Sequence, residues 1–567
     1  MKRFLLFLLA CAPLQMWCCT NLIVGRGAST TGSPMTTYAA DSYGLYGFLR
    51  YQAAADHNTA DMRKVYDWDT GTYLGEIPET EHTFSVIGNM NEHQLTIGET
   101  TYGGREELHH DSTAIIDYGS LIYIALERCR TAREAVMFMT TIVQEYGYAS
   151  EGESFTIADP QEVWLMEMIG KGGKSKGAVW AAVRVPDDCI TAHANQARIT
   201  KLPVKGAKAL NLKKEIPDFA KLYPSLKKYK VMTNTADGTE WLWSSDVISF
   251  GRQNGYFSGN DEDFSFADAY APLDLVGAYA CEGRVWSFLR RYDASIDGYL
   301  PYVMGKSANK IPLFVKPSRK LSPADLRNDM RDQYEGTPLD ITKGEAAGIW
   351  HSKLRYGGLV FNLDSTEYCH PRPTATQQTG WSYVSEMHAD RPYGVFWFAV
   401  DDAATSVYVP FFSCSTEVPH CLQKGNGDLL TYSPTSAFWA FNTVANYAYT
   451  KYERMRPDIV FRQHEWEQRF EDDLVQIQNN KVQSTQGGLT EQLRDYLTRY
   501  SVIQAEAVVQ DWHNLFAFLM VKYLDGVEKK QDDQGNFLRT ATGESQSPDR
   551  FKPAEEYLRR IAPETAH

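Results

Sequence analysis

Cys19-Thr20-Asn21-Leu22-Ile23-Val24-Gly25, followed by Thr36-Thr37-Tyr38-Ala39-Ala40-Asp41, decides how the rest of the chain is read. Thr20 to Val24 is β-branched and apolar and reads as a strand; Arg26 to Ser33 (RGASTTGS) clusters Gly, Ser and Thr and reads as a turn. A hairpin centred near Thr30 has partners whose numbers sum to about 60, which places Asp41 opposite Cys19 to within a residue or two of register. A thiol thereby acquires a neighbouring carboxylate.

Upstream, Lys2 and Arg3 precede the apolar run Phe4 to Leu9, which is too short to span a bilayer, so residues 1–18 read as an export signal. Cleavage after Cys18 makes Cys19 the first residue of the mature chain. Its own α-amine can then act as base, because reference values of about 7.7–8.0 for the amine and about 8.5 for the thiol are matched for proton exchange. Two alternatives stand beside this one. Cys18 and Cys19 could end the signal with one of them paired or lipidated, and Leu8-Leu9-Ala10-Cys11 has the pattern that precedes a lipidated cysteine.

A chain of 567 residues at 43% hydrophobic has material for a large core, and its formal charge of -14 without a dense basic block argues against nucleic acid as a partner. Cysteines stand at 11, 18, 19, 129, 189, 281, 369, 414 and 421. Removal of the signal leaves an odd number, which suits one free thiol plus bridges, with Cys414 and Cys421 as the nearest local pair. No CxxC, HExxH or HxH occurs, so neither a metal nor any other cofactor is expected, and no later apolar run is long enough for a membrane span. Self-association is left open.

Along the chain, Tyr43 to Asp69 reads as a loop over the site, lined by Tyr43, Tyr46, Phe48 and Tyr51. Thr83–Ile87 and Leu95–Glu99 flank Asn89–Gln94 as a second hairpin. A helix from about Leu121 to Arg128 precedes another that opens with the capping box Thr131-Ala132-Arg133-Glu134, buries Ala135, Val136, Met139, Ile142 and Val143, and ends at Gly147. Strands follow at 154–158, 163–169, 178–185 and 190–194, then a helix over 275–292 carrying Arg284. A strand meander occupies 381–411, and helices begin near Thr435; His464-Glu465-Trp466-Glu467 reads as surface. This order suits an α+β protein with two stacked sheets and helices outside. The expected division is a signal over 1–18, a catalytic domain over 19–430, a helical region over 431–527 packed on it, and a polar tail over 528–567.

Further candidates accompany Cys19 and Asp41. His193-Ala194-Asn195-Gln196 follows a strand end, where the Asn195 amide can donate to a developing oxyanion; an asparagine closing a turn is the alternative. Asn91, Glu99 and Thr101 belong to the second hairpin. Alternation puts Glu99 and Thr101 on one face, which borders either the site or solvent. Arg284 either holds a carboxylate or the thiolate, or is a solvated arginine.

CTNLIVGRGASTTGS from Cys19, GNMNEHQLTIGETTYGGR from Gly88, VWLMEMIGKG from Val163 and HANQARI from His193 together resemble the peptidase family C69 dipeptidases of the N-terminal nucleophile hydrolase superfamily. The resemblance extends from Cys19 beyond Tyr408 and implies a four-layer αββα fold and cysteine-dependent, metal-free hydrolysis of small peptide substrates. It implies Cys19 as nucleophile, Asp41 as its orienting aspartate, Asn195 near the oxyanion and, less directly, Arg284 as the basic group. Thr101 falls near a second oxyanion position of related acylases. Many relatives carry Arg-Asn-x-Asp where this chain has Tyr38-Ala39-Ala40-Asp41, so Arg284 or another group must supply the charge. The expected protein is a secreted or periplasmic dipeptidase. An amide acylase of the bile-salt or acyl-amino-acid type and a non-catalytic surface lipoprotein are the alternatives.

Overall fold

The opening hairpin forms as strands β1 (Asn21–Val24) and β2 (Met35–Asp41), paired antiparallel with Ile23 opposite Thr36 and Val24 opposite Met35, and a further bridge joins Thr20 to Ala39. That is one residue short of the centred register, so Ala40 rather than Asp41 lies across from Cys19. The computed structural model describes residues 19–564 apart from 110, 217–228, 356–358, 483–487, 552 and 554. The expected export signal, with Cys11 and Cys18, lies outside the described residues.

The remaining principal elements are β3 (Thr96–Gly103), α1 (Tyr118–Arg128), α2 (Ala132–Tyr146), β4 (Gly152–Ala158), β5 (Val163–Gly170), β6 (Ala178–Arg184), β7 (Ile190–His193), α3 (Gly283–Arg290), β8 (Thr379–Glu386), β9 (Val395–Val400), β10 (Val409–Phe412), α4 (Ala437–Tyr449), α5 (Tyr452–Ile477) and α6 (Glu491–Lys522). One sheet has six strands in the order β7-β1-β2-β8-β9-β10. The other has ten, with β6-β5-β4-β3 at its centre and shorter strands at both edges. All named pairings are antiparallel, which makes this an α+β protein.

The helices cover these sheets for reasons visible in their caps and faces. Thr131 Oγ1 accepts the Glu134 N–H at 3.2 Å, while Glu134 Oε2 reaches back to the Arg130 N–H at 2.7 Å, one residue earlier than in a regular capping box. The apolar face of α2 packs on β4, β5 and β6, and α6 packs on β10 and α4. Between them, β1 and β2 contact β3 and β4. The approach is tight at Gly98 of β3, where a Cβ atom would stand 2.5 Å from Asn21 Oδ1 and 2.8 Å from the Tyr383 hydroxyl. Only glycine lets the sheets meet there.

Several expectations change. The second hairpin is tighter than read: Val86–Ile87 pairs with Met90–Asn91 around Gly88 (φ 55°) and Asn89, and Met90 in turn pairs with Thr96. Cys414 and Cys421 are not bonded to each other; both are buried free thiols in the same hydrophobic core. Glu467 is not surface. It sits 6% exposed, accepts from Arg331 Nη1 at 3.0 Å and from Arg327 Nε at 3.2 Å, and takes the Tyr408 N–H at 3.1 Å, which pins α5 to the six-stranded sheet. The polar stretch after Gly526 contains a short pairing of Val527–Glu528 with Asp549–Arg550.

Candidate active site

With Ala40 across from Cys19, strand alternation puts Cys19, Asn21, Tyr38 and Ala40 on one face, turned toward the ten-stranded sheet. Asn21 Nδ2 donates to the Glu99 carbonyl at 2.6 Å and ties the sheets together beside Gly98. Cys19 is 1% exposed. Its thiol donates to the Tyr38 hydroxyl oxygen at 3.8 Å, and the Tyr38 hydroxyl donates to the Glu99 carboxyl. Burial pushes the thiol well above its ordinary value, and the Glu99 and Asp41 carboxyls add to this; the Asp41 backbone N–H and the Tyr38 hydroxyl pull it back. Asp41 thus meets the sulfur with its main chain.

The Asp41 carboxylate points elsewhere. Its Oδ2 accepts from Arg372 Nη2 at 2.7 Å and its Oδ1 from Thr379 Oγ1 at 2.6 Å, forming a buried ion pair at the bulge where β2 meets β8. Arg372 is therefore one charge near the hairpin that the Tyr38-Ala39-Ala40-Asp41 sequence itself lacks. Nothing in its His370-Pro371-Arg372-Pro373 segment signals this.

Arg284 supplies the second. The helix expected over 275–292 contains a π-helical stretch, Gly277–Glu282, immediately before α3, a local irregularity of a kind that often marks functional positions. Arg284 follows it, fully buried, with Nε donating to the Ala280 carbonyl at 2.9 Å. Nη1 donates to the Cys19 carbonyl at 2.5 Å and to Thr20 Oγ1 at 2.8 Å; Nη2 donates to the Ala194 carbonyl at 3.1 Å and to Asn195 Oδ1 at 2.9 Å. One planar fork thereby joins residues 265 and 89 positions away in the chain to each other.

Asn195 adopts φ 63°, a left-handed conformation that asparagine tolerates, and its Nδ2 donates to the Thr101 carbonyl at 2.6 Å. With Oδ1 held by Arg284, the amide orientation is set and one further N–H of Nδ2 remains. His193, just before it, bridges Thr100 Oγ1 (2.7 Å) and Thr156 Oγ1 (2.6 Å); burial, with the Arg198 charge, drives it down to about 3, so it is neutral.

Glu99 and Thr101 share a face, as alternation requires, and Glu99 faces the site, since it is buried beneath Tyr38. Thr101 Oγ1 donates to Glu153 Oε1 at 2.8 Å, and Glu153 lies diagonal to Glu99 across β3 and β4. Burial raises both carboxyls, and the Glu99 charge raises Glu153 further. Asn91 stands apart from this group. Its Nδ2 donates to the Leu126 and Cys129 carbonyls at 2.7 and 2.8 Å, and its Oδ1 accepts the His93 and Leu95 N–H groups, which anchors the tight turn to the end of α1. Tyr38 and Glu153 are the members that sequence reasoning missed. The alternation of β2 would have found Tyr38 once the register was known.

A cleft of about 550 Å³ opens beside Tyr38 and Ala40, with Tyr46, Phe48, Arg50, Trp68, Asp69 and Tyr118 among its walls. Of the aromatic residues expected over the site, Tyr46 and Phe48 line it, Tyr43 is 58% exposed, and Tyr51 pairs with Ile87. No group of three or more His, Cys, Asp and Glu among the described residues could hold a metal ion, and no helix among them is long and apolar enough to cross a membrane.

The two sheets thus bring together a buried thiol, an arginine fork and a pair of buried carboxyls, with a cleft opening beside Tyr38 and Ala40. The chain belongs to Peptidase family C69, whose sequence profile matches residues 18–465, and is a peptide hydrolase. It is similar to a probable dipeptidase of Salmonella dublin, 23% identical over 433 residues that cover 73% of this chain and 85% of the relative. A probable dipeptidase of Latilactobacillus sakei is 22% identical over 419 residues (70% and 75%), and a dipeptidase of Bifidobacterium longum is 26% identical over 362 residues (57% and 60%).

Proposed function

We propose that the protein is an exported dipeptidase whose nucleophile is Cys19 as the first residue of the mature chain, on a four-layer αββα sandwich of the N-terminal nucleophile hydrolase type, with the helices after residue 430 packed on it. The observation that carries this reading is the Arg284 fork, which binds the Cys19 carbonyl and the Asn195 side chain at once. Removal of residues 1–18 frees the α-amine. The amine takes the thiol proton, which burial otherwise holds on sulfur in the uncut chain. The thiolate attacks the peptide carbonyl carbon, and the remaining N–H of Asn195 Nδ2 and a backbone amide receive the oxyanion; one such donor is worth about 10²–10³ in rate. Collapse expels the amine product, protonated by the Cys19 α-ammonium, and water then hydrolyses the thioester. The Asp41–Arg372 pair fixes the end of β2, whose main chain meets the sulfur.

Dipeptidase assays of the mature protein against acylated amino acids and conjugated bile acids test the substrate class. Preferential turnover of the conjugates would overturn it in favour of an acylase. Cys19→Ser should abolish turnover while leaving the fold intact, and an active Cys19→Ser protein would remove the nucleophile.

A further inference from the structure

The charges of the cleft are unequally satisfied. Arg63 is held by Glu127, with Nη2 donating to Oε1 at 3.2 Å. Asp67 Oδ1 accepts from the Thr70 hydroxyl at 2.6 Å, and Asp69 Oδ1 accepts from the Tyr118 hydroxyl at 2.9 Å. Arg50 differs. Its guanidinium lies 4.0 Å from the Tyr123 ring centroid and 5.3 Å from that of Trp68, two rings stacked on each other at 4.9 Å. Among the described residues no carboxylate pairs with it and no acceptor takes its N–H groups. A guanidinium over an aromatic face is attracted by the ring, but the ring satisfies none of its N–H donors. In a cleft wall, such a group is completed by a planar anion, for which its fork geometry is matched. Lys64 and Lys424 line the same cleft and add positive potential.

We propose that Arg50 is the carboxylate-binding subsite of this enzyme and determines its preference among peptides. The subsite rests on the peptidase reading and extends it: Tyr38 and Ala40, on the Cys19 face of the hairpin, line the same cleft as Arg50, so a short peptide lies with a carboxylate toward Arg50 and its scissile bond toward Cys19. The carboxylate is either the peptide's own C-terminus or an acidic side chain. Both present the same planar pair of oxygens.

The test is a ratio. kcat/KM is measured for a dipeptide against its C-terminal amide, and for Ala-Glu against Ala-Gln, in the mature wild-type protein and in Arg50→Gln. The wild type should favour the free acid by about tenfold or more in one pair, the worth of a charge-assisted hydrogen bond, and Arg50→Gln should lose that preference. Loss in the first pair assigns the C-terminus, and loss in the second assigns the side chain. A preference that survives in Arg50→Gln, or a wild type that discriminates in neither pair, overturns the subsite. If Arg50→Gln folds poorly, Arg50→Met keeps the stem on Tyr123 and reads the same ratio. Titration calorimetry of the Cys19→Ser protein with the same peptides separates the two readings. Arg50-dependent binding in a protein whose wild type cleaves no dipeptide sinks the dipeptidase reading alone; cleavage without Arg50-dependent discrimination sinks the subsite alone.

Discussion

Replacing Arg284 by lysine keeps a positive charge in place but removes the planar fork, and it probes the junction on which the active-site reading depends. Arg284 satisfies the Cys19, Ala194 and Ala280 carbonyls, Thr20 Oγ1 and Asn195 Oδ1 from a fully buried position. A lysine ammonium reaches some of these acceptors but not both ends of the set. Each buried acceptor left without a donor costs about 1–3 kcal/mol, and partial relaxation should bring the net loss of stability to on the order of 3–5 kcal/mol. The consequence for catalysis is separable from that loss. With Oδ1 released, the Asn195 amide is free to turn, and Cys19 loses the anchor on its carbonyl; a displacement of about 1 Å at the reacting atoms costs about 10²-fold. Arg284 does not touch the substrate in this account, so kcat should fall about 100-fold with KM little changed. Steady-state kinetics on a dipeptide, at a temperature where thermal unfolding shows the variant folded, makes the comparison. A folded Arg284→Lys protein with wild-type kcat, or one impaired only in KM, would refute the positioning argument.

Three further outcomes are expected. Tyr38→Phe removes a hydroxyl that can turn its proton from Glu99 to the Cys19 thiolate and so pulls the thiol down, and the midpoint of the pH profile for iodoacetamide alkylation should move to higher pH; an unmoved profile would separate Tyr38 from the sulfur. Asp41→Asn takes the carboxylate from Arg372, which is 5% exposed, and should lower unfolding stability by on the order of 3 kcal/mol, with the loss smaller in the Arg372→Met background; additive losses in denaturant titrations would argue against the pair. Burial pushes Glu167 from 4.5 to about 7. The folded state then retains a proton that the unfolded state releases, so stability falls as pH rises between those values, with a slope approaching about 1.4 kcal/mol for each step of one in pH. Glu167→Gln should flatten that part of the stability profile, and an unchanged slope would contradict the assignment.

The parts of the fold legible in the sequence were those fixed by local chemistry. The Gly, Ser and Thr cluster after Val24 forces a turn, and Thr131 with Glu134 starts α2, so strand and helix order followed directly. Register was readable only to a residue, and that residue matters because alternation sends neighbouring side chains to opposite faces. It exchanged the expected carboxylate of Asp41 for the Asp41 amide and brought Tyr38 to the thiol. Arg372 and Glu153 were not legible at all. Each reaches a partner from a distant segment, Arg372 from a loop over 331 positions and Glu153 across paired strands over 52, and no local period encodes such contacts. Glu467 misled for a related reason: its neighbours on α5 are charged and exposed, whereas its own partners come from Arg327 and Arg331. Asn195 was placed correctly after a strand end, but its orientation depends on Arg284, a residue whose sequence context reads equally well as solvated surface.

The most direct test of the central claim is the intact mass and N-terminal sequence of the purified, active protein. A chain that begins at Cys19 with an unmodified α-amine is the predicted result. An active chain that retains residues before Cys19, or one whose first cysteine carries a fatty acyl group on nitrogen, would contradict the mechanism at its first step.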